Sequence, residues 1–174
     1  PSGMTPLRFM FVLHDHQPIG NFDGVFESAY HASYRPFLDL LDTYPHVRVG
    51  LHTSGPLMEW FEANHPEYLD RLARLVTAGR VEIIGGAFYE SILPMIPSRD
   101  RIGQIRNYRA WLVKRLGAEV RGMWIPERVW EQNLTADLAD AGVDYIILDD
   151  SHFKYAGLTE EQLFGYYLTE DEGR

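Results

Sequence analysis

The chain contains no cysteine, which removes disulfide frameworks, thiolate catalysis and cysteine-ligated zinc from consideration. Positive charge is scarce. Sixteen Lys and Arg stand against 25 Asp and Glu, for a formal net charge of -9. Such a surface repels nucleic acid and anionic membranes, so neither is expected as a partner and a neutral ligand fits better. Apolar runs long enough to span a bilayer are also missing, and the start lacks a basic segment followed by an apolar run and a small-residue cleavage site. The expected location is therefore cytoplasmic. Pro1, Ser2 and Gly3 ahead of Met4 read as an expression scar, which leaves residues 4–174 for the fold.

What is present is a chain of 174 residues with 45% hydrophobic content, enough for one domain with a sizeable core. Aromatic residues make up 13%, and their flat rings suit a core and the face of a sugar equally well. Short apolar runs alternate with longer amphipathic segments, the pattern of repeated βα units around a parallel sheet. Strands are expected at Leu7–Leu13, Val47–Leu51, Arg80–Ile84, Gly122–Ile125 and Asp144–Leu148. Between them, helices are expected at Phe26–Thr43 with an interruption at Pro36, at Pro66–Ala78, at Ser98–Leu116 with Ser98 as cap and Gly117 as stop, and at Leu134–Ala141. A short helical signal follows near Thr159–Phe164.

Unusual polar residues fall just past these strand ends: His14 and His16, then His52, Glu90, Glu127, and the pair Asp149 and Asp150. Parallel strands all point the same way, so residues at their carboxyl ends converge on one rim, where such folds place active sites. Any one of these residues read alone is a loop residue or a helix cap. Five expected strands fall short of the about eight that close a barrel, so the chain is expected to stop partway through its domain. An unpaired sheet edge is then expected to drive self-association or to pair with the remainder of the domain.

Met123–Gln132, MWIPERVWEQ, is the most informative segment. A carboxylate held between Trp124 and Trp130 just after a strand is costly to bury without a purpose. Glu127 then reads as an ionised nucleophile with Arg128 beside it and a tryptophan to stack on a sugar ring. The plainer alternative makes Glu127 and Glu131 helix-capping residues and the tryptophans core. His14 and His16 also stay open, because H-x-H after a first strand suits metal-dependent deacetylases and zinc mannosidases, and suits a structural histidine too.

The segment WIPERVWE resembles the nucleophile motif of glycoside hydrolase family 57. LHDHQPIGNF at Leu13–Phe22 resembles that family's first motif around HQP, and GGAFYESIL at Gly85–Leu93 resembles the second, with Glu90 at its glutamate. GVDYIILDDSHFKYAGL at Gly142–Leu158 is similar to the following segment of the 4-α-glucanotransferase and α-amylase branch. The resemblance implies an irregular seven-stranded (β/α) barrel, incomplete here, and retaining cleavage or transfer at α-1,4-glucosidic bonds with no cofactor. Glu127 would be catalytic. His14, His16, Glu90, Trp124, Asp149, Asp150 and His152 would meet an α-glucan or maltooligosaccharide, and no metal would be bound. Two departures stand out: Ser91 where relatives often carry proline, and Pro126 where threonine is common. The family's general acid/base aspartate belongs to a later motif that matches nothing up to Arg174, so these residues alone are expected to show little turnover. A deacetylase or mannosidase and a non-catalytic glucan-binding fragment are the competing classes.

Overall fold

The computed structural model describes residues 8–174. Leu7 and the segment around Met4 lie outside the described residues. Strands β1 (Val12–Asp15), β2 (Val49–Thr53), β3 (Val81–Ile83), β4 (Gly122–Trp124) and β5 (Tyr145–Ile147) alternate with helices. These are α1 (Asp23–Ala29), α2 (Arg35–Thr43), α3 (Gly55–Asn64), α4 (Pro66–Thr77), α5 (Ser98–Leu116), α6 (Leu134–Asp140) and α7 (Asp150–Tyr155). All strand pairs are parallel, in the order β1-β2-β3 and β4-β5. The two groups meet just beyond β3, where the Gly85 N–H donates to the Gly122 carbonyl at 2.8 Å and the Trp124 N–H to the Gly85 carbonyl at 2.9 Å. Neighbours in sequence are thus neighbours in space, and every strand points its carboxyl end toward one rim.

Two apolar clusters hold the array. The larger lies between β1–β3 and their helices and includes Leu38, Leu41, Leu51, Leu57, Phe61, Leu69, Leu72 and Leu112. Helix α4 shows why it forms: Tyr68, Leu69, Leu72 and Leu75 recur at helical spacing and are its buried residues. Each fully buried leucine contributes about 2 kcal/mol through removal of its surface from water. The smaller cluster packs Met123 and Ile125 of the β4 region against Leu93, Ile105, Leu134 and Leu138. Among the described residues, no helix is long and apolar enough to cross a membrane.

Several expected boundaries move. The first strand runs through Val12–Asp15 rather than ending at Leu13, and Phe9 and Met10 are 83% and 86% exposed instead of buried. Strand β1 is an edge strand whose partner β2 starts only at Val49, so nothing among the described residues covers the chain before Phe11. Strand β2 shifts the same way and takes in His52, which was expected to follow it. Pro36 is absorbed by a π-helical turn at Tyr30–Tyr34 that links α1 to α2. The wider turn relieves the clash of the proline ring with the carbonyl four residues earlier. Helix α5 has the expected bounds and ends at Gly117 in the left-handed conformation (φ 63°), yet Ser98 is not its cap: Pro97 holds that position and the Ser98 hydroxyl donates to Asp137 of α6 instead.

Candidate active site

Register brings the first pair of side chains together. His14 of β1 lies opposite His52 of β2, and residues opposite each other on adjacent strands share a face. Their Nδ1 atoms are 2.7 Å apart, a hydrogen bond in which one imidazole donates and the other accepts. The indole of Trp124, at the end of β4, stacks on His14 with ring centres 4.5 Å apart and planes within 6°. His16 lies next along the same side of the chain, 5.9 Å from His14 and nearly parallel to it. Burial, together with the charges of His16 and Arg128, pushes the His14 imidazole down to about 4, and burial alone dominates the strong lowering at His52, which is fully enclosed. Both rings are therefore neutral at pH 7.

Glu90 reaches this cluster from the loop after β3. Its Oε1 faces His52 Nε2 at 3.3 Å, and its side chain is only 10% exposed. Burial first, and the nearby Glu127 charge second, raise the Glu90 carboxyl to about 8. Gln104 of α5 clamps the loop: its amide Nε2 donates to the Ser91 hydroxyl at 2.9 Å and its Oε1 accepts from the Tyr89 N–H at 3.1 Å. Ser91, the departure from the expected proline, thus anchors the loop by a side-chain bond.

Glu127 sits on a 3₁₀ turn, Pro126–Arg128, immediately after β4. Pro126 is buried and opens the turn, which the Arg128 N–H closes onto the Ile125 carbonyl at 2.9 Å. The expectation that Glu127 is buried between two tryptophans is corrected, because its side chain faces solvent and Trp130 packs into the smaller core cluster. Strain marks the residue instead. Glu90, Glu127 and Arg128 have φ of 55°, 53° and 50°, and only Glu172 joins them among the described non-glycine residues with left-handed backbone. Each such residue costs about 1–3 kcal/mol, and such residues cluster where function demands a particular aim.

Among the described residues Arg128 makes its ion pair with Asp149 and none with Glu127. Its Nε lies 2.7 Å from the Asp149 carboxylate and its guanidinium rests 5.3 Å from the centre of the Trp124 ring. Asp149 is thereby tied to the β4 side of the rim. Asp150 is not: it begins α7 and pairs with Lys154 at 3.0 Å. His152 is half-buried with an unpartnered Nδ1, and no hydrogen bond or ion pair among the described residues joins it to the cluster. His52, expected just past its strand, lies inside β2 opposite His14, and that pairing is what brings it into the cluster.

His14, His52 and Glu90 bring one metal-ligand type of atom each within 4.8 Å of one another, and the two imidazoles hydrogen-bond to each other through Nδ1. Two imidazoles on one tetrahedral ion, at about 2.0–2.1 Å from it, stand roughly 3.3 Å apart. The Nδ1 atoms here are closer than that, and Glu90 meets the opposite nitrogen of His52. His16 takes no part in the group.

Fold and site together define a class: a parallel α/β protein that carries a strained, solvent-facing carboxylate beside neutral imidazoles and a stacked indole on its carboxyl rim. The chain belongs to glycosyl hydrolase family 57, whose family model matches residues 10–173. An alpha-amylase of Pyrococcus furiosus is 50% identical over 167 residues, which is 96% of this chain and 26% of that protein. The 4-alpha-glucanotransferase of Thermococcus litoralis is 46% identical over 170 residues, and its crystal structure matches with a TM-score of 0.95 over 98% of this chain and 27% of its own. The chain thus spans about a quarter of the length of these relatives. A CE4 family pseudoenzyme of Bacillus anthracis shares the fold alone, at 11% identity and a TM-score of 0.55 over 79% of this chain and 42% of its own. Family membership sets aside a deacetylase or mannosidase as the class of the chain.

Proposed function

We propose that Glu127 is the nucleophile of a retaining reaction on α-1,4-glucans, of the α-amylase or 4-α-glucanotransferase type. The observation that carries this reading is the aim of Glu127: a strained turn after β4 holds an accessible carboxylate over a rim lined by His14, His16 and Trp124. The names of the Pyrococcus and Thermococcus relatives supply the substrate class. One carboxylate oxygen attacks the anomeric carbon as the glycosidic oxygen leaves with a proton from a general acid. Water or a sugar hydroxyl then breaks the glycosyl ester, so configuration is retained and hydrolysis and transfer share the first step.

His14, His16, Glu90, Trp124 and Asp149 belong to the substrate side in this proposal. Asp150 is left out, because it pairs with Lys154, and so is His152, whose imidazole makes no hydrogen bond to the rim among the described residues and whose only link is its backbone N–H to the Asp149 carbonyl. The general acid is proposed to come from outside residues 1–174. Asp149 is held as an ion pair by Arg128, and Glu90 faces inward onto His52. The same reading takes the parallel array as part of an irregular seven-stranded barrel, whose other strands would cover the exposed Phe9, Met10, Phe164 and Leu168.

The test is Glu127→Gln in the full-length protein that carries these residues. Turnover of maltooligosaccharides is expected to fall by about 10³-fold or more, the scale of losing a nucleophile, while oligosaccharide affinity stays near the parent value. Turnover that survives the substitution would remove Glu127 from the role.

A further inference from the structure

We propose that His52 is a positioning residue: through a buried Glu90–His52–His14 chain it fixes the tautomer of His14, so that His14 turns an N–H toward the sugar hydroxyl it meets. This rests on the reading above that the rim binds a glucan. His52 never reaches that rim itself, being fully enclosed on β2.

The geometry leaves few arrangements. The two Nδ1 atoms are in hydrogen-bond contact at 2.7 Å, so one carries a proton and the other a lone pair. Which is which depends on the far side of the His52 ring. There Nε2 is shielded from water, has no hydrogen-bond partner, and faces Glu90 Oε1, which is equally shielded and equally unpartnered, at 3.3 Å. Buried polar atoms left so are costly, and a small rotation of the Glu90 carboxyl joins the two. Gly86 keeps this approach open, because a Cβ there would lie 2.5 Å from His52 Nε2 and 3.5 Å from Glu90 Oε1.

A protonated Glu90 donates its O–H into His52 Nε2. His52 then holds its one proton on Nδ1 and donates it to His14 Nδ1, and the proton of His14 is left on Nε2. An ionised Glu90 reverses every bond in the chain. The surroundings favour the first arrangement at neutral pH. Burial and the Glu127 charge raise the Glu90 carboxyl to about 8. Burial also holds both imidazoles neutral, with His16 acting on both and Arg128 on His14 in the same sense. Tyr108 of α5 lies edge-on to His52, 6.3 Å between ring centres, but its hydroxyl donates to the Thr53 carbonyl and offers His52 no proton.

Long-range ¹H–¹⁵N spectra of the full-length protein that carries these residues, labelled with ¹⁵N in histidine, read each tautomer without any sugar present. The signals of His14 and His52 are assigned by the loss of each ring in turn. Near neutral pH His14 is expected as the Nε2–H tautomer and His52 as the Nδ1–H tautomer. Glu90→Gln, whose amide N–H also donates to Nε2, is expected to preserve both, whereas His52→Phe is expected to release His14 into a mixture of tautomers. His14 found as Nδ1–H in the parent chain would overturn the proposal, as would a His14 tautomer unaffected by His52→Phe. The parent and Glu90→Gln spectra decide the matter even if His52→Phe does not fold. A correct tautomer pattern in a protein without glucan activity would defeat only the reading of the rim.

Discussion

The two sides of the rim are built on opposite principles. On the side of β1, β2 and the loop after β3, His14, His52 and Glu90 are enclosed, mutually hydrogen-bonded or facing one another, and shifted toward their neutral forms. On the side of β4 and β5, the Glu127 side chain faces solvent, and Arg128 and Asp149 form an ion pair that is 38% and 46% exposed at its two ends. Burial favours neutral groups and a fixed geometry, whereas a carboxylate that attacks carbon must keep its charge and be reachable. On the proposals above the molecule separates the two demands, with one half of the rim orienting and the other half reacting.

The largest expected effect that sharpens this contrast is on folding stability as a function of pH. Glu90 has a value of about 8 in the folded chain against an ordinary 4.5, so between these the folded state holds a proton that the unfolded chain has released, and stability falls as pH rises. Asp15, raised by burial to about 6 from 3.8, adds a fall at lower pH. His14 acts in the other direction: between about 4 and 6.5 the unfolded chain holds the extra proton, so stability rises with pH. His52 has the same sign. The unfolded histidines are still half protonated at pH 6.5 and oppose Glu90 there, so Glu90 dominates only about one pH unit higher. Urea unfolding between about pH 7.5 and 8.5 is expected to lose stability with a slope below the one-proton limit of about 1.4 kcal/mol per pH unit. Glu90→Gln should flatten that slope. An unchanged slope in the variant would place the titration elsewhere.

The smallest expected effect lies on the open side. Asp149→Asn removes the carboxylate that Arg128 holds at 2.7 Å, but both partners are substantially solvated, and such pairs are worth about 0–1 kcal/mol. Its urea midpoint should stay close to the parent value. A loss above about 2 kcal/mol would show that the pair is structural, and would break the contrast between the two halves.

Much of this arrangement was readable in the sequence, and the exceptions have physical causes. Helix α5 was legible to the residue because Gly117 stops it, and α4 because proline, apolar spacing and Gly79 agree. Strands β1 and β2 were placed about two residues too early. Apolar runs mark what is greasy, while pairing decides what is strand, and here pairing extends into His14, Asp15, His52 and Thr53. Polar residues inside strands are where function overrides pattern. The contact of His52 with His14 was not legible because it depends on register with a residue 38 positions away. The Arg128–Asp149 pair was invisible for the same reason. The expected burial of Glu127 between tryptophans failed, since spacing in sequence says nothing about which way a strained turn aims the side chain.

The central claim is that Glu127 forms the covalent bond to sugar. A 5-fluoro-α-glucosyl fluoride carries a leaving group that needs little protonation and yields a glycosyl ester that breaks slowly, so it traps the intermediate of a retaining enzyme. Incubated with the full-length protein that carries these residues and followed by intact mass and peptide mapping, it is expected to add one glycosyl residue, on the peptide containing Glu127. Label on Glu90, on Asp149 or on no residue of a demonstrably active preparation would contradict the account.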